Sequence, residues 1–182
     1  MENLTGNFLI ATTRMPDPRF NRQVIYMCAH TDDGAMGLVI NHPSTYTLTD
    51  IMNGAEIPVT QLDLPPVYLG GPVEMEAGFF LYSADYETDN YIGISPTVSL
   101  SRDPEILWSI SRGHAPERYI FALGYAGWGP GQLEGELKVN GWLTLPSDDK
   151  VLFDTPDELK WEMAASKHGI DISTFDDLVG FA

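Results

Sequence analysis

The run from Gly124 to Gly131 is the first place where residue types and spacing could do chemistry. A buried strand leads into these glycines and a helix begins directly after them, so backbone N–H groups at the helix start could bind an anion. The spacing matches neither a P-loop nor a dinucleotide fingerprint, and Glu134 and Glu136 would oppose a phosphate. The structural alternative is a tight turn that needs small residues. The candidate ligand-binding residues of this run are Gly127, Trp128, Gly129, Gly131 and Gln132.

Three other candidate positions follow predicted strands, where loops commonly carry function. They are Asn41, the pair Gly70 and Gly71, and the pair Ser101 and Arg102. The guanidinium of Arg102 offers a planar fork of donors for a carboxylate or phosphate. A surface ion pair of Arg102 with Asp103 or Glu105 is the structural alternative. We predict one cleft that combines these positions with the turn around Trp128.

Cysteine and histidine offer weaker candidates near the N-terminus. Cys28 and His30 lie two residues apart on one predicted strand, so both side chains are expected on the same face. Such a pair could form a nucleophile, but a buried Cys28 would act only as a small apolar residue. His30, Asp32 and His42 could surround a metal, although their spacing matches no standard pattern. We therefore predict no metal site, no cofactor and no catalytic residue.

The elements that must position these residues predict an α+β fold. A strand over residues 24–29 that is rich in β-branched and aromatic residues, the turn chemistry of residues 30–34 and a strand over residues 36–40 favour an antiparallel hairpin over residues 23–41. Strands dominate the first half of the chain and alternate with helices in the second half. The prediction is a single compact domain over residues 1–182, with a mostly antiparallel sheet and helices packed around it. Further strands are expected at 8–11, 67–69, 78–83, 91–94, 98–100, 118–124, 142–145 and 151–153.

Helix starts are indicated by local capping chemistry. Thr47 with Asp50 predicts a short helix that stops at Gly54, and Asp103 followed by Pro104 predicts a second helix. A third helix is expected over residues 132–139. The sequence from Thr155 to Glu158 reads as a capping box for a helix that runs to His168.

Composition and charge restrict the classes of partner. The 182 residues carry 26 acidic side chains against 10 lysines and arginines, a formal net charge of -16. Nucleic-acid affinity depends largely on cations that displace counterions from phosphates, so direct DNA binding is not expected. Cys28 is the only cysteine, which gives no internal disulfide. The first residues contain no long apolar run, so we expect a cytoplasmic protein with no membrane contact.

Several ordered motifs give the chain a resemblance to a known family. The run from Gly34 to Asn41, the segment Leu69–Val73 and the run from Ala122 to Glu134 carry most of it. Others are 8–11, 24–30, 101–103, 140–143 and 152–156. On these motifs the sequence resembles the YqgE/AlgH family over roughly residues 7–180. The resemblance implies a compact α+β fold and a bacterial, cytosolic setting.

The resemblance also brings a label, transcriptional regulator, that part of the family carries. The residues offer no helix-turn-helix pattern and no basic recognition helix. Two positions depart from the family pattern: His42 stands where an arginine or lysine is usual, and the chain ends Gly180-Phe181-Ala182 where a histidine often precedes the last alanine.

These observations predict a non-enzymatic binding or regulatory protein whose partner is a small anionic ligand or another protein. One alternative is a small enzyme that uses the same cleft, with Arg102 as an anion clamp and Cys28 or a carboxylate as the reactive group. The other alternative is a DNA-binding regulator.

Overall fold

The structure, a computed structural model, describes residues 2–175, without the side chain of Arg19. The predicted departure at residues 180–182 lies outside this part. Ten strands and four α-helices occur within it: β1 Asn7–Ala11, β2 Val24–Thr31, β3 Gly34–Val39, β4 Pro43–Thr47, α1 Leu48–Gly54, β5 Pro66–Leu69, β6 Val73–Ser83, β7 Ile92–Gly93, β8 Val98–Ser101, α2 Glu105–Ser111, β9 Tyr119–Trp128, α3 Gln132–Lys138, β10 Trp142–Pro146 and α4 Asp157–Ser166. None of the helices described is long and apolar enough to cross a membrane.

One curled sheet organises the molecule. Its strand order is β10-β1-β2-β3-β9-β6-β8-β7, and β5 joins β9 with β4 at its side. Every strand pair within residues 2–175 is antiparallel except β5 with β9. The predicted fold class, α+β with a mostly antiparallel sheet and packed helices, is confirmed. The hairpin predicted over residues 23–41 is present as β2 and β3.

Strand β9 curls the sheet because its two halves have different neighbours. Residues 121–123 pair with β5, whereas residues 126–128 pair with β3. Gly124 lies between the halves with φ of +75°, a backbone conformation that glycine adopts at little cost. The run from Gly124 therefore continues the strand as far as Trp128, and the predicted turn starting at Gly124 is wrong; only residues 129–131 turn.

Strand β2 contains a β-bulge that changes the direction of its side chains. Met27 pairs with Gly37 and Ala29 pairs with Met36, so Cys28 is the extra residue. The bulge reverses the alternation beyond it. Cys28 stays in the core cluster with Tyr26 under α4, whereas His30 turns to the α3 side. The predicted common face for Cys28 and His30 is therefore wrong.

Two local predictions near the C-terminal end of the chain are also wrong. Residues 151–153 are not a strand but part of a π-helical turn, Lys150–Asp154. The chain turns there because Asp148 accepts hydrogen bonds from the backbone N–H groups of Val151 and Leu152. Thr155 donates its hydroxyl to the carbonyl of Lys150 instead of capping α4, whose first turn has no side-chain cap. The capping box of Thr47 and Asp50 is confirmed.

Candidate functional site

The glycine pair after β5 is explained by close packing of two chain segments. A Cβ on Gly70 would overlap the carbonyl oxygen of Gly124, and a Cβ on Gly71 would overlap the backbone of Tyr125. No side-chain rotation relieves an overlap with backbone. Gly70 and Gly71, which follow β5, thus allow the chain to cross directly over β9 at Gly124 and Tyr125 on its way to β6.

The turn before α3 is closed by its own side chains. Gln132 Oε1 accepts a hydrogen bond of 3.0 Å from the N–H of Gly129, and its Nε2 donates to Glu136. Gly131 supplies the left-handed conformation that precedes α3, a helix of only seven residues. The Trp128 indole is buried on the same side and donates to Glu136 Oε1 at 3.3 Å. These side chains hold α3 against the sheet.

Asn41 lies in a different depression, at the start of α4. Its side-chain amide accepts from the N–H of Val24 and donates to the carbonyl of Arg22, both at 3.0 Å. Those bonds support the unusual backbone of Arg22, whose φ is +56°. The depression holds about 460 Å³ and is also lined by Gln23, His42 and residues of α4.

Arg102 lies between two depressions whose linings are mostly apolar. Two adjoining depressions of about 610 and 520 Å³ share Met36, Phe79 and Arg102. Together they form what we call the Arg102 groove. Its apolar lining and Arg102 come from Ala29, Met36, Phe79, Tyr91, Ile92, Leu100, Arg102, Tyr125 and Gly127, and the acids Asp33, Glu74 and Asp89 also line it. Of the predicted site residues, Arg102, Gly127 and Trp128 line the first depression, and Ser101 lines the second. Asn41 lies apart from them, in the depression at α4.

Four strands supply the floor of the Arg102 groove. The bulge in β2 turns Ala29 to the same face as Met36 of β3, and Gly127 of β9 pairs with Met36. Phe79 of β6 packs edge-on against Tyr125, with ring centroids 5.8 Å apart. Small residues at Ala29 and Gly127 leave the space that the larger side chains surround.

The guanidinium of Arg102 is placed by an aromatic ring rather than by a carboxylate. Its Cζ lies 4.9 Å from the centroid of Phe79. The two acids expected as partners are engaged elsewhere: Asp103 accepts from Thr88 and from the N–H of Glu105, and Glu105 pairs with Arg112 at 2.8 Å. The alternative of an ion pair with Asp103 or Glu105 is wrong. In the described part of the chain, no carboxylate oxygen lies within 4.0 Å of a guanidinium nitrogen of Arg102.

Ser101 fixes the backbone that carries Arg102. Its buried hydroxyl donates to the carbonyl of Asn90 and accepts from the N–H of Asp103. The hydroxyl therefore ties the end of β8 to the loop before β7 and to the start of α2. Ser101 acts on the groove through the position of Arg102.

Cys28 and His30 offer no nucleophile pair. Burial raises the pKa of the Cys28 thiol to about 12, so the thiol is protonated at neutral pH. His30 accepts the N–H of Leu4 at Nδ1, and its Nε2 lies 2.8 Å from Glu134. Both ring nitrogens are thereby used. Within residues 2–175, no group of three histidine, cysteine or acidic side chains could hold a metal ion.

A buried polar cluster was not anticipated from the sequence. Lys160 donates to the carbonyl of Ile40 at 2.7 Å and lies 3.0 Å from Asp157, which also accepts from the Tyr68 hydroxyl. Burial lowers the pKa of Lys160, and the Asp157 carboxylate partly opposes that effect. A lysine one turn into a helix ordinarily predicts exposure, so no local signal indicated this cluster. The groove residues Phe79 and Tyr125 were not predicted as site residues either, because aromatic residues in strands ordinarily predict core packing.

The chain is similar to known proteins in sequence and in structure. An AlgH-like family model matches residues 8–173. A UPF0301 protein of Desulfotalea psychrophila is 44% identical over 99% of this chain and 95% of its own length. A UPF0301 protein of Pseudoalteromonas translucida is 42% identical, with 100% of both chains covered.

Solved structures give the same relationship. The solution structure of the AlgH protein from Pseudomonas aeruginosa superposes with a TM-score of 0.82 at 37% identity, covering 96% of this chain and 93% of that one. A Corynebacterium diphtheriae protein, 20% identical with a TM-score of 0.76, shares the fold. The match over nearly the whole length, in sequence and in structure, shows that the chain belongs to the bacterial AlgH-like family.

Proposed function

We propose that this protein is a non-enzymatic binding module whose Arg102 groove takes a carboxylate attached to an apolar group, carried by a partner polypeptide. The observation that carries the proposal is Arg102 itself. It is an arginine with no acidic partner among the described residues of a chain with 26 acids, and it lies on an aromatic ring in a depression whose lining is mostly apolar.

The chemistry of the groove fits such a ligand. A guanidinium binds a carboxylate through two parallel hydrogen bonds, and Phe79 keeps the fork in place without consuming its donors. Met36 and Tyr125 beside it offer apolar surface, and methionine with aromatic residues is typical of protein interaction sites. The exposed Tyr91 and Ile92 extend this surface along the second depression.

The length of the groove favours a polypeptide over a small metabolite. Its two depressions lie side by side along the surface with Arg102 between them, so an extended chain can run through both while a carboxylate meets the guanidinium. Non-enzymatic binding is also supported by the state of Cys28, the only cysteine, because its pKa of about 12 leaves no thiolate at neutral pH.

The test uses N-acetyl-L-phenylalanine as a probe that joins one carboxylate to one apolar ring. Titration into ¹⁵N-labelled protein is followed by two-dimensional NMR. At about 0.3 kcal/mol per heavy atom the expected dissociation constant is about 1 mM. Shifts should concentrate at Met36, Phe79, Arg102 and Tyr125. N-acetylphenylalanine amide, which lacks the charge, should bind about tenfold more weakly or not at all.

Two variants give the matched controls. Arg102→Met keeps a long apolar stem and should weaken binding of the carboxylate about tenfold or more. Arg102→Lys keeps the charge without the fork of donors. Its affinity for N-acetylphenylalanine should lie between that of wild type and that of Arg102→Met. Arg112→Met changes an arginine that already pairs with Glu105 and should leave binding unchanged. Equal binding of the acid and the amide, or equal binding by wild type and Arg102→Met, would reject the proposal.

Two further elements belong to the proposal. Regulation would follow from occupancy of the groove by the partner, not from contact with DNA, because the chain carries a formal net charge of -16. Cytoplasmic localisation is expected from the family resemblance, and fractionation of cells that express the protein checks it.

A further inference from the structure

The depression at the start of α4 has the features of a second binding site, separate from the Arg102 groove. We call it the α4 depression and define it by six of its lining residues, Arg22, Gln23, Asn41, His42, Glu158 and Trp161. Its volume of about 460 Å³ lies within the range of about 300 to 1,000 Å³ that is typical of small-molecule sites. It shares no lining residue with the Arg102 groove, so the two sites can be tested independently.

Gln23 provides the observation that points to a ligand. This residue is only 8% exposed, and it forms part of the wall of the α4 depression. Its side-chain Nε2 lies 3.3 Å from Nδ1 of His42, but its Oε1 is buried without a hydrogen-bond donor among the described residues. A buried oxygen in that state is costly to the folded chain. A ligand that brings a donor to this wall of the depression would remove the cost.

The backbone around Gln23 is held in place by Asn41. The Asn41 amide donates to the carbonyl of Arg22 and accepts from the N–H of Val24, the peptide groups on either side of Gln23. The same bonds support the left-handed backbone conformation of Arg22. Asn41 is therefore a positioning residue for both Arg22 and Gln23.

Arg22 and the first turn of α4 supply hydrogen-bond donors to the same depression. The Arg22 guanidinium carbon lies 4.6 Å from the centroid of the Trp161 ring, and its contact with Glu162 is long, at 3.4 Å, and exposed. Exposed pairs of this kind contribute little. In the described part of the chain no side chain caps the first turn of α4, which leaves backbone N–H groups for another acceptor. These donors suit a carboxylate.

The charges around the α4 depression favour a ligand that carries both signs. Asp157 pairs with Lys160, whereas Glu158 forms no ion pair within residues 2–175. A simple anion would meet Glu158 and bring no donor to Gln23, and a simple cation would meet Arg22. A carboxylate beside an ammonium group satisfies both sets of residues. The carboxylate accepts from the donors, and the ammonium donates to the free oxygens.

We propose that the α4 depression binds a free α-amino acid, with its carboxylate at Arg22 and the first turn of α4 and its ammonium at Gln23 Oε1 and Glu158. This inference goes beyond the function proposed for the Arg102 groove and does not depend on it. Asn21 and His42 are exposed in the lining of the depression, so a polar side chain on the amino acid is favoured over an apolar one.

The experiment uses L-glutamine as the probe and two derivatives that each lack one charge. N-acetyl-L-glutamine has no ammonium, and L-glutamine amide has no carboxylate. Each is titrated into the full ¹⁵N-labelled chain and followed by two-dimensional NMR. The size of L-glutamine predicts a dissociation constant of about 5 mM. Shifts should concentrate at the side-chain amides of Gln23 and Asn41, the indole N–H of Trp161 and the N–H groups of residues 157–158. Each derivative should bind about tenfold more weakly.

Variants distinguish a ligand-binding role of Gln23 from a structural one. Gln23→Met should weaken binding of L-glutamine about tenfold, yet its melting temperature should equal or exceed that of wild type, because an apolar group replaces a buried oxygen without a partner. Gln61→Met, at an exposed glutamine outside the depression, should change neither quantity. Arg22→Met should also weaken L-glutamine about tenfold. Arg102→Met should leave L-glutamine unaffected while it weakens N-acetylphenylalanine.

Three results would overturn the amino-acid site, whatever happens at Arg102. The first is the absence of shifts at the α4 depression on titration with L-glutamine. The second is equal binding of L-glutamine and either derivative, which would show that one of the two charges is not recognised. The third is equal binding by wild type and Gln23→Met, or a lower melting temperature of Gln23→Met, which would make the Gln23 amide a structural group.

Discussion

Lys160 and Arg102 are two cations in similar aromatic surroundings that the fold uses in opposite ways. Each charge lies 4.9 Å from the centroid of a ring, Tyr68 for Lys160 and Phe79 for Arg102. Lys160 is 1% exposed and bonded to Ile40 and Asp157. Arg102 is exposed, and in the described part of the chain its only partner is the ring.

The difference separates a structural charge from an available one. A buried ammonium must have its donors satisfied, since an unpaired buried charge is costly. Lys160 therefore joins α4 to the end of β3. A guanidinium held by a ring face keeps its five donors for another molecule. Placement beside an aromatic ring thus does not define a binding site; unused hydrogen-bonding capacity at the surface does.

The Arg102 groove depends on the crossing of the Gly70–Gly71 segment over β9, and Gly71→Ala should disrupt that crossing. The added methyl group overlaps the backbone of Tyr125, a groove residue, so either β5 or β9 must move. We expect a loss of more than about 4 kcal/mol of unfolding free energy, at the upper end for single substitutions. Urea unfolding followed by circular dichroism measures it.

A glycine from the other predicted motif serves as the control. At Gly129 an added Cβ would meet only Gln132 Oε1, at 4.0 Å. Gly129→Ala should therefore cost less than about 1 kcal/mol. Equal losses for the two variants would contradict the crossing as the reason for Gly71.

Because Lys160 is a buried structural charge, Lys160→Met should lower the free energy of unfolding substantially. Removal of the ammonium leaves the Ile40 carbonyl without its donor and the Asp157 carboxylate with only the Tyr68 hydroxyl, which should cost about 3 kcal/mol. For a chain of this size that lowers the melting temperature by about 6 to 12 °C. Differential scanning calorimetry gives the measurement. N-acetylphenylalanine should still bind the folded variant as it binds wild type.

Lys167→Met is the matched change at the surface. Lys167 pairs with Asp148 at 2.9 Å, but its side chain is 30% exposed. Exposed pairs contribute little, so the expected loss is about 0.5 kcal/mol. A loss for Lys160→Met no larger than this would show that the buried cluster does not stabilise the fold.

Cys28 provides a smaller test of how well the interior beneath the sheet excludes water. Its thiol pKa is about 12 in the folded chain against an ordinary value of 9.0. Above pH 9 the unfolded chain loses this proton while the folded chain keeps it, so stability falls as pH rises. Between about pH 8 and about pH 10 wild type should lose about 1.4 kcal/mol more than Cys28→Ala. Parallel pH dependences, or rapid labelling of native Cys28 by a thiol reagent, would contradict this.

Local sequence signals account for much of the fold but not for its irregular points. The hairpin of β2 and β3 follows from apolar runs on either side of the turn at Asp32–Gly34, and α1 follows from the capping box at Thr47. The bulge at Cys28 has no comparable signal, because one extra residue leaves the strand's composition unchanged. Val151 and Leu152 are buried, and a short buried run fits a strand as well as a turn.

Local sequence signals also indicated only part of the candidate site. Arg102 is visible as an arginine directly after a strand. Its companions Met36, Phe79 and Tyr125 come from three other strands, and only the sheet order brings them together. The glycines at 70 and 71 gave an equally strong local pattern for a different cause, the approach of two backbones. The sequence indicates that Arg102 and the two glycines have a specific role. Only the three-dimensional structure shows whether that role is ligand binding, as proposed for Arg102, or close backbone packing, as at Gly70 and Gly71.

The smallest expected change in stability is that of Arg102→Met. Loss of an exposed cation–π contact with Phe79 should cost about 0.5 kcal/mol, partly offset because methionine also packs against the ring. Calorimetry should therefore place its melting temperature within about 2 °C of wild type. Binding of N-acetylphenylalanine should nevertheless fall about tenfold in the same preparation. A loss of stability as large as that of Lys160→Met would mean that Arg102 is a structural cation too, and the distinction between the two charges would not hold.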